Sequence, residues 1–127
     1  MSIEINQPVP AFSNPATGDR TVTNADLQGH YTVLYFYPKD STPGCTTESQ
    51  DFSALYGDFQ GLNCHIYGVS RDSLKSHENF KAKQAMPFDL ISDPDETLCE
   101  AFGVMQLKNM YGKQVRGIER STFLIEP

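Results

Sequence analysis

Apolar residues fall along this chain in two rhythms. The run Tyr31-Thr32-Val33-Leu34-Tyr35-Phe36-Tyr37 is apolar at odd and even positions alike, rich in β-branched and aromatic residues, and stops at Pro38. It predicts a strand covered on both faces. Over 46–62, Phe52, Leu55, Tyr56 and Phe59 recur at steps of three and four, the spacing of an amphipathic helix, with Gly61 and Asn63 suited to its end. A second strand is expected over 66–70 and a helix over 73–85, with Leu74 and Phe80 on its apolar face and Pro87 beyond it. Residues 88–91 read as a third strand, Asp93-Pro94-Asp95 as a turn, 97–102 as a short helix closed by Gly103, and 121–125 as a last strand. Strands alternating with helices predict an α/β protein with helices on both faces of one sheet.

Length and charge narrow the function classes. A chain of 127 residues with 39% hydrophobic residues can bury one core, so a single domain over 1–127 is expected. A net charge of -6 repels phosphate backbones and anionic lipid, which disfavours nucleic-acid and membrane-surface roles. The longest apolar stretch is far below the roughly 18 residues of a transmembrane helix, and Met1-Ser2-Ile3-Glu4-Ile5-Asn6 has no basic region followed by an apolar one. A reducing cytoplasm is the expected setting. Three cysteines, at 45, 64 and 99, form neither a disulfide framework nor a C-x-x-C nor a zinc spacing, so thiol chemistry must rest on a lone sulfur. His30, His65 and His77 have no ligand spacing, and Asp93-Pro94-Asp95-Glu96 lacks the glycine and register of an EF-hand. No metal site is expected.

Cys45 is the candidate nucleophile. A free thiol of pKa about 8.5 is only a few per cent thiolate at pH 7, so its surroundings must favour the anion. The segment before it joins a strand end to a helix start, a common place for active sites in α/β proteins. In the first turn of the 46–62 helix the sulfur would meet unpaired N–H groups and the positive end of the helix dipole, with Pro43 and Gly44 allowing close approach. Its phase matches Phe52, Leu55 and Phe59, which implies an inward-facing, recessed position. Thr42 can turn a hydroxyl toward the sulfur or a small polar substrate, and Pro38 would wall the pocket. The bland alternative, a small buried hydrophobe, needs none of these features.

The motif Pro38-x-x-x-Thr42-x-x-Cys45, inside Tyr-Phe-Tyr-Pro-Lys-Asp-Ser-Thr-Pro-Gly-Cys-Thr-Thr-Glu, resembles the active-site loop of peroxiredoxins, specifically the bacterioferritin-comigratory-protein or PrxQ subfamily. Gly68-Val69-Ser70-Arg71-Asp72-Ser73, Ser76-His77-Glu78-Asn79-Phe80, Leu90-Ile91-Ser92-Asp93 and Arg120-Ser121-Thr122-Phe123-Leu124-Ile125 carry the likeness through most of the chain. The resemblance implies a thioredoxin-like fold, a central mixed β-sheet flanked by helices, and a cofactor-free thiol peroxidase. It makes Cys45 the peroxidatic residue, with Thr42 orienting the peroxide, Pro38 shielding the sulfur, Arg120 supplying a cation, Glu48 holding Arg120 and Gly44 supporting the loop. The thiolate would attack a peroxide oxygen while N–H groups, the Thr42 hydroxyl and Arg120 stabilise charge on the departing oxygen. A sulfenic acid then remains, to be reduced by a thiol.

The sequence departs from the subfamily pattern where a resolving cysteine is common: those positions hold Gln50 and Lys81. Cys64 and Cys99 are the remaining candidates for that part, although both read as core residues. The simplest consequence is a one-cysteine cycle restored by thioredoxin, glutaredoxin or a small thiol. The chain also ends at Pro127, where the family continues with a strand and a closing helix, so an exposed sheet face and a monomer or homodimer are expected. A non-enzymatic redox sensor or thiol-binding module is the alternative reading, and a holdase-like interaction protein a weaker third.

Overall fold

A computed structural model describes residues 9–40, 42–110 and 112–127, with all their side chains except those of Pro43, Cys45, Lys108, Asn109, Met110 and Val115. The chain runs β1 (Ser13–Ala16), β2 (Arg20–Thr23), a 3-10 turn (Asn24–Leu27), β3 (Tyr31–Phe36), α1 (Pro43–Gly61), β4 (Cys64–Ser70), α2 (Leu74–Gln84), β5 (Asp89–Ser92), α3 (Thr97–Ala101), β6 (Met105–Met110), β7 (Lys113–Ile118) and β8 (Ser121–Ile125). Six strands form one mixed sheet in the order β2-β1-β5-β4-β3-β8, and β6 and β7 pair as a separate antiparallel hairpin. β3, β4 and β5 are parallel, in a register that sets Tyr31 beside Cys64 and Phe36 beside Val69, whereas β8 runs antiparallel to β3. No helix among the described residues is long and apolar enough to cross a membrane.

The double-sided apolar run of β3 feeds two cores. Val33, Tyr35 and Tyr37 join Ile66, Phe80, Phe88 and Leu90 on the face covered by Phe52, Tyr56 and Phe59 of α1. Leu34 and Phe36 join Val69, Ile91, Leu98, Cys99, Phe102 and Ile118 on the opposite face, under α3. Contact across the first face is close at Gly68. A Cβ there would lie 2.7 Å from the Tyr35 ring and from Leu90, so a larger residue would push the ring off β4. The Tyr35 hydroxyl ends 2.9 Å from Ser49 Oγ and pins the second turn of α1 to the sheet.

α1 starts three residues before the predicted boundary. Thr42 is its extended N-cap, with φ -87 and ψ 151, and Pro43 opens the helix, where its fixed φ suits the first turn and its missing N–H costs nothing. Leu55, expected on the buried face, is 47% exposed. The stripe that meets the sheet is Ser49, Phe52, Tyr56 and Phe59 instead, steps of three and four that run back to position 45. The hairpins β1–β2 and β6–β7 were not predicted.

Candidate active site

The loop after β3 lies at the C-terminal edge of the parallel strands. Its peptide between Lys39 and Asp40 is gripped on both sides. The Asp40 N–H donates to Asp72 Oδ2 at 2.8 Å, and the Lys39 carbonyl accepts from the Thr42 hydroxyl at 2.9 Å. This second bond gives the Thr42 hydroxyl a partner within its own loop. A hydroxyl has one hydrogen, and here it is directed at a carbonyl, so the oxygen is left as an acceptor. It can receive an S–H or the O–H of a hydroperoxide. Pro38 is half-buried at the start of the loop.

Cys45 is the third residue of α1, inside the helix rather than ahead of it; its side chain lies outside the described residues. The Thr46 N–H closes the first helical bond on the Thr42 carbonyl at 2.8 Å. The N–H groups of Gly44 and Cys45 precede that bond and are not used by the helix itself. From the segment between β7 and β8, Arg120 reaches this turn: Nη1 donates to Glu48 Oε1 at 2.8 Å, and a Cβ placed on Gly44 would lie 3.3 Å from Nη2. Thr42, Gly44, Glu48 and Arg120 thus gather around the first turn of α1. Burial pushes the Glu48 carboxyl above its usual range, and the Arg120 guanidinium pulls it back only in part. A shallow depression of about 400 Å³, lined among others by Gly44, Glu48, Phe52, Leu55 and Arg120, opens beside this turn.

Behind the loop is a polar cluster that sequence reasoning did not assemble. Asp40 accepts from the Tyr37 hydroxyl at 2.6 Å and from the Ser76 hydroxyl at 2.8 Å, and His77 Nδ1 lies 2.8 Å from Asp40 Oδ2. Burial alone would raise the Asp40 pKa, but His77, Tyr37 and Ser76 outweigh it and hold the carboxyl below its usual value. Asp40, Asp72 and His77 bring donor atoms within 4.8 Å of one another, yet each already has a hydrogen-bond partner inside the protein. The available signal was that Asp40 and the Ser76-His77 pair both fall in segments the family resemblance singled out.

The AhpC/TSA family profile matches residues 5–127. The chain is 58% identical over 123 residues to Peroxiredoxin Bcp of Xanthomonas campestris, covering 94% of this chain and 76% of that one. The chain is a peroxiredoxin. Its fold is that of a Xylella fastidiosa PrxQ, with TM-score 0.89 and 46% identity over 99% of this chain and 78% of that one. A trapped intermediate/ligand complex of the Xanthomonas campestris bacterioferritin comigratory protein, studied for alkyl peroxide reduction, matches with TM-score 0.86 and 56% identity over 91% of this chain and 73% of that one. The peroxiredoxin therefore has a thioredoxin-like fold and belongs with the thiol peroxidases.

The other two cysteines of this peroxiredoxin are placed far from the first turn of α1. Cys64 opens β4 just beyond the end of the 19-residue α1, so about 25 Å of helix stands between it and Cys45, where a disulfide needs Cα atoms within about 7 Å. Cys99 lies on the opposite face of the sheet, in the core under α3. Burial raises the Cys64 thiol pKa, and burial together with nearby Asp93 raises that of Cys99 well above the ordinary range. At the two positions where the subfamily resemblance led us to expect a partner cysteine, Gln50 Nε2 donates to Gln84 Oε1 at 2.9 Å and Lys81 Nζ to Asp89 Oδ1 at 2.6 Å. Both side chains tie α2 to its surroundings.

Proposed function

We propose that the chain reduces hydrogen peroxide and organic hydroperoxides with Cys45 as its only redox-active sulfur, and that an external thiol restores it. The observation that carries this reading is the convergence of Thr42, Gly44 and the Glu48-anchored Arg120 on the helix turn that contains Cys45. In the first step the Cys45 thiolate attacks the terminal oxygen of ROOH. The S–O bond forms as the O–O bond breaks, and RO⁻ leaves and takes up a proton. Arg120 and the first-turn N–H groups offset the negative charge, and Thr42 accepts the hydroperoxide O–H to aim the bond. In the second step an external thiol attacks the sulfenic acid, releasing water and leaving a mixed disulfide. A second thiol then displaces Cys45. Thioredoxin, glutaredoxin or a small thiol fits that part, in the reducing cytoplasm expected for the chain.

Stopped-flow oxidation and intact mass after one equivalent of peroxide test both halves. Cys45 should react far faster than a free thiol, and the product should gain one oxygen in the wild type and in Cys64→Ser and Cys99→Ser alike. A rate no greater than that of a free thiol overturns the peroxidase reading. Loss of two hydrogens instead, abolished in one of the two variants, overturns the one-cysteine cycle and identifies the resolving partner.

A further inference from the structure

Asp40 is engaged at its amide and at both carboxylate oxygens. Its N–H is held by Asp72, which in turn accepts from the Ser70 hydroxyl at 2.6 Å. Tyr37 binds one carboxylate oxygen, and Ser76 and His77 bind the other. The second ring nitrogen of His77, Nε2, lies 3.0 Å from the Ile91 carbonyl oxygen, which can only accept, so Nε2 carries a hydrogen. Nδ1 faces the Asp40 carboxylate. Tyr37 Oη, 3.4 Å from Nδ1, also faces the ring. The pair is sealed from water, with His77 0% and Asp40 5% exposed.

An apolar pair could pack α2 against the loop as well as this polar one does, because burying polar groups costs much of what their pairing returns. What the polar pair adds is direction. A threonine hydroxyl has several staggered positions, and the Lys39 carbonyl selects one of them here. The direction of that carbonyl is set by the plane of the 39–40 peptide. That plane is in turn fixed by Asp40, through its amide and through its carboxylate.

We propose that His77 is a positioning residue of the peroxidase: it holds Asp40, Asp40 holds the 39–40 peptide, and that peptide aims the Thr42 hydroxyl at the hydroperoxide. This inference rests on the peroxidase reading of Cys45.

Two reactions of Cys45 in His77→Gln separate positioning from general support. Oxidation by hydrogen peroxide depends on where Thr42 points, whereas alkylation by iodoacetamide needs only a thiolate and access. The peroxide rate should fall about tenfold, in line with the cost of a small misplacement of a reacting group, while alkylation stays within about twofold. In a Thr42→Val background, which has already lost the hydroxyl, His77→Gln should cost nothing further. An unchanged peroxide rate, a parallel change in both reactions, or a full additional loss in the Thr42→Val background overturns the proposal. If His77→Gln does not fold, Ser76→Ala removes one donor to the same carboxylate and decides the matter by the same comparison, with a smaller selective loss expected. A wild type no faster than a free thiol defeats the peroxidase reading instead, a result distinct from all of these.

Discussion

At Gly44 the absence of a side chain matters for what lies above it. A Cβ there would come within 3.3 Å of Arg120 Nη2, closer than an undisturbed contact allows, so the guanidinium at the end of its side chain would have to shift. Alanine is otherwise the better helix residue, by roughly 0.5–1 kcal/mol. Gly44→Ala should therefore leave the melting temperature unchanged or slightly raised while slowing Cys45 oxidation by about tenfold, less than the 10²–10³ for outright removal of a charge-stabilising donor. Thermal melts and stopped-flow oxidation of one preparation check both halves, and a rate equal to wild type would separate Arg120 from the reaction. Thr42 shows where sequence stops being informative at this scale. Its identity and spacing were legible, but the direction of its hydrogen depends on the Lys39 carbonyl, whose orientation is set by residues distant in sequence. His77 was likewise visible only as part of a family-like segment and with no partner, because Asp40 lies 37 positions away.

Among the elements, those whose apolar residues recur were legible, and those that bring only one or two residues to the core were missed. β3, α1, β4, α2, β5, α3 and β8 sit where the periodicity put them, within a few residues. β1 and β2 are four residues each, and Val22 is the buried residue in β2, too short a pattern to register. β6 and β7 pair with each other outside the main sheet, and Leu107 is 67% exposed, so no alternation of burial marks their described residues. Asp89 at the start of β5 shows how such elements are joined. Lys81 of α2, Thr17 after β1 and Arg20 of β2 all donate to its carboxylate. Burial alone would raise the Asp89 pKa, but these donors outweigh it and lower it from its ordinary value. A depressed folded-state pKa means stability that is present above the unfolded value and lost as pH falls through the folded one. Asp89→Asn should cost about 1–3 kcal/mol at pH 7, with the exposed Arg20 contributing little of it. The gap to wild type should shrink in urea melts at about pH 3; a constant gap would assign the loss to packing rather than charge.

Over the whole molecule, the sheet keeps the three cysteines apart by two different dimensions: the length of a helix for Cys64 and the thickness of the sheet for Cys99. That placement was not available from counting cysteines, since it requires knowing which strand each sulfur borders and which face it joins. It also has a practical side. Cys64 is 4% exposed and Cys99 0%, and both thiols are shifted away from ionisation, so neither should answer a bulky disulfide reagent in the native protein. Titration of the reduced, folded chain should count one thiol, and three after denaturation; a second native count would show that the start of β4 or α3 opens. The chain thus carries its own gauge: colour released under native conditions measures the share of molecules ready for the next turnover, with no label or engineered residue.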